Sequence, residues 1–147
     1  MIVYLDGRFL PAEQATVSID DRGLLFGDGV FETALLHRGG FLRLRQHLDR
    51  FAASARTMQL PVPQLDRLEE VVHALARENA LADGNVRITL TRGVRDPMLF
   101  VTVRPPDAAW TERAARGWSV VTAQTRRPST AAVPAQLKAL GRTYALL

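Results

Sequence analysis

Twice between residues 46 and 79 the apolar side chains recur with the spacing of an α-helix, and Pro61 and Pro63 stand between the two runs. Leu48, Phe51, Ala55 and Met58 fall at i, i+3, i+7 and i+10, on one side of a helix expected over 46–59. The prolines end it and open a second helix over 64–79, because proline lacks the amide that a helix interior needs but suits a first turn. Leu65, Leu68, Val71, Val72, Leu75 and Ala76 make the buried side of that second helix, and His73 is read as solvated, with no role. On the first helix His47, Arg50 and Ser54 share helical spacing too, as a polar stripe along the flank of the apolar face.

Strand signals flank this helical pair. Residues 2–5 and 8–10 enclose Asp6-Gly7, a strong hairpin signal. Short strands are expected over 15–19, over 30–36 and, after the turn Arg38-Gly39-Gly40, over 41–44; a Gly-rich loop precedes the second of these. Val86, Ile88 and Leu90 alternate with Arg87, Thr89 and Thr91, the pattern of a half-buried strand, and residues 99–104 are its expected hairpin partner. Pro105-Pro106 ends that unit; a helical stretch over 108–116 and a strand over 118–124 follow. The order is that of an α+β domain over 1–120, then a Pro-, Ser- and Thr-rich linker over 121–135, then the beginning of a second unit over 136–147 that reads as cut off in its first turns.

Lys138 lies in that last stretch, and it is the only lysine beside 18 arginines. The arginines are spread along the chain among 15 acids, so a net charge of +4 reads as composition bias rather than as a nucleic-acid surface. With no cysteine there is no disulfide, thiolate metal site or cysteine nucleophile, which is compatible with a cytoplasmic setting. No apolar run reaches the ~18 residues of a membrane span, and the first residues lack the basic and apolar regions of a secretory signal. His37, His47 and His73 have unrelated spacings and suggest no metal; no G-x-S-x-G is present; Gly27-Asp28-Gly29 reads as a tight turn rather than a dinucleotide fingerprint. From residue type alone, Arg50 is either solvated or a guanidinium turned into a cleft, where it suits a phosphate. Lys138 is either a surface residue or a desolvated amine able to form a Schiff base with an aldehyde.

Four stretches together narrow these alternatives. DRGLLFGDGVFETALLHRGG, RQHLDRFAASA, VRITLTRG and LKALGR, in that order, resemble the class IV (fold-type IV) pyridoxal-phosphate enzymes, which include branched-chain aminotransferase, D-amino-acid aminotransferase and aminodeoxychorismate lyase. The resemblance implies the small N-terminal domain of a two-domain fold, with only the start of the C-terminal domain. It implies pyridoxal 5'-phosphate as cofactor, Lys138 as the catalytic Schiff-base lysine and Arg50 as a phosphate ligand. It also implies a substrate pocket lined by Phe31, with Thr33 two residues on and on the same strand face. Arg95, in the loop after T-R-G, is the one candidate for a carboxylate-binding arginine, although its offset matches poorly.

Thr33 and Arg142 tilt the expected reaction toward 4-amino-4-deoxychorismate lyase, which releases pyruvate and yields 4-aminobenzoate. A branched-chain or D-amino-acid transaminase is the alternative, and a truncated, inactive relative a third. In the family the carboxylate facing the pyridine nitrogen and further phosphate ligands lie well beyond the lysine. The expected partners are a small amino substrate and a second copy in a homodimer, with neither nucleic acid nor membrane.

Overall fold

The computed structural model of the chain describes residues 1–122, 129 and 137–141, with nothing said of the side chains at 108, 110 and 111. Six strands, β1 (Ile2–Leu5), β2 (Arg8–Pro11), β3 (Gly29–His37), β4 (Gly40–Phe41), β5 (Gly84–Thr91) and β6 (Met98–Arg104), form one antiparallel sheet in the order β2-β1-β6-β5-β3-β4. Helices α2 (Leu44–Thr57) and α3 (Leu65–Glu78) lie between β4 and β5 in sequence and cover one face of the sheet. The α+β architecture is therefore as expected. No helix among the described residues is long and apolar enough to cross a membrane.

The alternation of each strand sorts its residues between the two faces. Val30, Ala34 and Leu36 of β3, Val86, Ile88 and Leu90 of β5, and Val101 and Val103 of β6 meet Leu48, Phe51 and Ala55 of α2 and Leu68, Val72 and Leu75 of α3 in the core. Phe31, Thr33 and Leu35 take the other side of β3. Register carries the same parity across: Thr33 stands opposite Arg87, which stands opposite Thr102, and Leu35 opposite Asn85 opposite Arg104.

Some local expectations give way to tertiary effects. The Gly-rich stretch holds a short helix, α1 (Arg22–Phe26), because Asp21 caps it: Asp21 Oδ1 accepts from the amides of Gly23 at 2.6 Å and Leu24 at 3.2 Å. The strand expected over 41–44 is only β4, since Arg43 turns left-handed at φ 52° and Leu44 already begins α2. Residues 15–19 form no strand; with Val17 43% and Ile19 79% exposed, little burial offsets the ordering of an extended segment. The described part of the strand expected over 118–124 is not a strand either, and Val120 and Val121 stand 86% and 94% exposed. Helix α4 (Ala108–Arg116) forms where expected.

One long-range pairing positions the site. Residues 138–140 dock antiparallel on the edge of β3 that β5 leaves open: the Phe31 amide donates to the Lys138 carbonyl at 2.9 Å and the Leu140 amide to the Gly29 carbonyl at 2.9 Å. Gly27, left-handed at φ 66°, lies against Gly141, and a Cβ on Gly27 would sit 2.7 Å from the Gly141 Cα and amide nitrogen. Below this contact Asp28 Oδ2 accepts from Arg22 Nε at 3.0 Å and Arg92 Nε at 2.8 Å. Arg92 also donates from Nη2 to the Met58 carbonyl at 2.7 Å, which ties the end of α2 to the turn.

Candidate active site

Glu32 occupies a helix-facing position of β3, among the apolar residues Val30, Ala34 and Leu36, and is 1% exposed. A carboxylate there must find donors, because burial without them carries a penalty of several kcal/mol. It finds them from three directions. From α2, Arg50 donates Nε to Oε1 at 2.5 Å and Nη2 to Oε2 at 2.8 Å, a bidentate fork. His47, one helical turn earlier, sets Nδ1 2.9 Å from Oε2. From the docked segment, Lys138 donates Nζ to Oε2 at 3.3 Å. The Thr33 amide adds a fourth donor to Oε2 at 3.3 Å.

His47 Nδ1 also stands 3.2 Å from Arg50 Nη2. A guanidinium only donates and a carboxylate only accepts, so we assign the Nδ1 proton to the shorter contact, with Glu32. Burial by itself would raise the Glu32 pKa. The hydrogen bonds from Arg50 and His47 and the charge of Lys138 outweigh it and hold the carboxyl below the ordinary glutamate value. The Glu32 hydrogen bond in turn raises Arg50 above its ordinary value. Arg50 remains 54% exposed, and its Nη1 makes no hydrogen bond among the described residues.

On the opposite face of β3 the Phe31 ring lies 5.3 Å from Lys138 Nζ and 4.0 Å from the Arg87 guanidinium carbon. Arg87 borders an open cleft of about 820 Å³ shared with Thr33, Thr102, Asn85 and Arg104. It has no acidic partner among the described residues. Although its tip reaches solvent, desolvation by the ring and strands around it lowers its pKa. A desolvated cation without a counter-ion at the rim of a cleft can receive an anionic group. Beside it Thr89, 2% exposed, has a buried Oγ1 with no hydrogen-bond partner among the described residues.

Lys138, Arg50 and Phe31 thus converge, and Thr33 lines the adjoining cleft. Arg95 does not join them: it is exposed on the turn between β5 and β6. Arg142 lies outside the described residues, as does most of the linker expected over 121–135. Ser54, the third member of the polar stripe, is buried and makes no bond to the cluster. Glu32, the role of His47, and Arg87 were not read from the sequence. An available signal for Glu32 was an acid at a core position of an otherwise apolar alternation.

The profile of the family described as Amino-transferase class IV matches residues 29–147. D-alanine aminotransferase of Listeria monocytogenes is 41% identical over 98 residues, which cover 66% of this chain and 34% of that protein. A putative branched-chain-amino-acid aminotransferase of Methanocaldococcus jannaschii is 39% identical over 97 residues, 65% of this chain and 34% of that protein. The chain therefore spans about a third of the length of the curated relatives it matches.

Among solved structures, a hypothetical aminotransferase from Mycobacterium tuberculosis in its PLP-bound form superposes with a TM-score of 0.71 at 31% identity, over 78% of this chain and 43% of that one. The branched-chain amino acid aminotransferase of Escherichia coli superposes with a TM-score of 0.86 over 99% of this chain and 54% of that one, a likeness of fold at 22% identity.

Proposed function

The chain belongs to the class IV amino-transferase family, and from that premise we propose that it contributes the small-domain side of a pyridoxal-phosphate site that moves amino groups between amino and keto acids. The observation that carries this reading is the meeting of Lys138 Nζ and the Arg50 guanidinium on the buried carboxylate of Glu32, from positions 106 and 18 residues away. The residues fit the cofactor on this side: a primary amine for its aldehyde, and a guanidinium with a free edge for its phosphate. When bound, the cofactor's conjugated ring takes up the electron pair left as the substrate's α C–H bond breaks.

The chain's own residues do the rest. Lys138 would hold the cofactor through Nζ, and as a free amine it would carry the substrate's α-proton as general base and acid. Arg50 holds the phosphate end. Phe31, whose ring lies 5.3 Å from Lys138 Nζ and 4.0 Å from the Arg87 guanidinium carbon, orients the substrate beside them. Arg87, rather than Arg95, takes the substrate's carboxylate; the absence of an acidic partner for it among the described residues and its place on the cleft support that role. The partition into a domain over 1–120, a linker over 121–135 and a second unit from 136, and the homodimer, belong to the same proposal.

Transamination is the first reading because the relatives named above are D-alanine and branched-chain-amino-acid aminotransferases. The lyase expected from sequence becomes the second reading, supported by Thr33, which lines the cleft beside Arg87. Incubation with pyridoxal phosphate, borohydride reduction and peptide mapping test the common core. One adduct on Lys138 is expected, and no adduct, or one elsewhere, would overturn it. Amino transfer that depends on a keto acid, set against pyruvate release from aminodeoxychorismate, separates the two reactions.

A further inference from the structure

Glu32 has no counterpart role in the proposal so far, yet every charged group assigned to the cofactor touches it. Resting on the cofactor reading above, we infer that Glu32 is a positioning residue for the phosphate: it grips one edge of the Arg50 guanidinium and leaves the other edge, at Nη1, free for the anion. Three observations support it. Both bonds of the fork engage Nε and Nη2, at 2.5 and 2.8 Å, so the orientation of the guanidinium plane is set. The carboxylate itself cannot drift, since it is 1% exposed and further held by His47 at 2.9 Å and Lys138 at 3.3 Å. The arginine is 54% exposed, and a side chain that open would otherwise sample many rotamers.

Glu32 does not repel the phosphate it prepares for, because Arg50 alone cancels its charge and Lys138 and His47 share the same oxygen. A glutamine in its place is a poor substitute. Its amide nitrogen would face Arg50 Nε in one orientation, and Arg50 Nη2, His47 and Lys138 in the other, donor against donor in both. Freed from the fork, Arg50 has to be ordered by the phosphate itself, so the loss falls on ligands that carry a phosphate.

The test compares the affinity of pyridoxal phosphate with that of pyridoxal, which lacks the phosphate, by absorbance titration. The protein is used at the full length in which it is expressed, as wild type, Glu32→Gln, Arg50→Gln and the double variant. Failure of the wild type to bind either ligand would sink the cofactor reading itself. With wild-type binding in hand, Glu32→Gln is expected to reduce the preference for the phosphorylated ligand by about tenfold while pyridoxal affinity changes by less than about threefold. In the Arg50→Gln background the same change is expected to alter the preference no further, because Glu32 acts through Arg50. An equal loss for both ligands, an unchanged preference, or the same loss without Arg50 would each overturn the inference. Should Glu32→Gln not fold, Glu32→Asp is read in its place. The shorter carboxylate withdraws from the fork, a reduced preference is expected, and an unchanged one overturns the inference.

Discussion

Glu32 Oε2 and Lys138 Nζ lie 3.3 Å apart across 106 residues of sequence. The contact exists because the edge of β3 is open at 29–31 and residues 138–140 take it.

Lys138→Arg is expected to abolish the borohydride-fixed adduct. The guanidinium keeps a positive charge beside Glu32 but stays protonated and cannot attack an aldehyde. Because Lys138 is the only lysine of residues 1–147, no other side-chain amine among them competes for the cofactor, and peptide mapping reads the loss directly. A variant that still takes up one borohydride-fixed cofactor at wild-type yield would refute the assignment.

Acid is expected to destabilise the fold through Glu32. Its folded-state pKa is lowered, so its contribution is present above the unfolded value and is lost as pH falls through the folded one. Asp28, held down against burial by Arg92 and Arg22, acts with the same sign. Tm should therefore fall as pH drops below about 4.5. Glu32→Gln should flatten part of that slope; a slope identical to wild type would show that Glu32 does not titrate between the two states.

Gly27→Ala should disturb the docking of the lysine segment more than the sheet. The position is left-handed at φ 66°, and the new Cβ would fall 2.7 Å from Gly141 backbone. A loss of about 1 kcal/mol or more is expected, with a lower yield of the Lys138 adduct. Chemical denaturation and adduct yield, measured together, check this; full yield would mean that the Gly27–Gly141 contact is dispensable.

Arg87→Gln is expected to raise KM for a carboxylate-bearing substrate by about 10- to 100-fold, the worth of one charge-assisted hydrogen bond, while leaving the affinity for pyridoxal phosphate unchanged. Arg95→Gln, on the exposed turn, should change neither. Reversed results for the two would return the carboxylate to Arg95.

Phe51→Ala should lower unfolding stability by about 3–5 kcal/mol, since Phe51 is fully buried between α2 and the sheet. Urea denaturation measures it, and a loss below about 1 kcal/mol would contradict the packing described.

Local periodicity alone determined a good part of this molecule. The 3.6-residue recurrence of Leu48, Phe51 and Ala55 and of Leu68, Val72 and Leu75 made α2 and α3 legible, because a helix must bury one stripe. The alternation of Val86, Ile88 and Leu90 did the same for β5. A single lysine in an arginine-rich chain, and an arginine one turn from a histidine, stood out by residue type but kept their roles open until the resemblance carried by four stretches made both candidates. Tertiary structure alone decided the rest, since neighbours in space carry no signature in local spacing. Residues 15–19 could form a strand by composition but gain too little burial in it, whereas Asp21 capped a helix inside a glycine-rich loop. Glu32 reads locally as one more strand residue. Its parity turns it toward the helix layer, and only there do Arg50, His47 and Lys138 make an acid at a core position an asset rather than a fault.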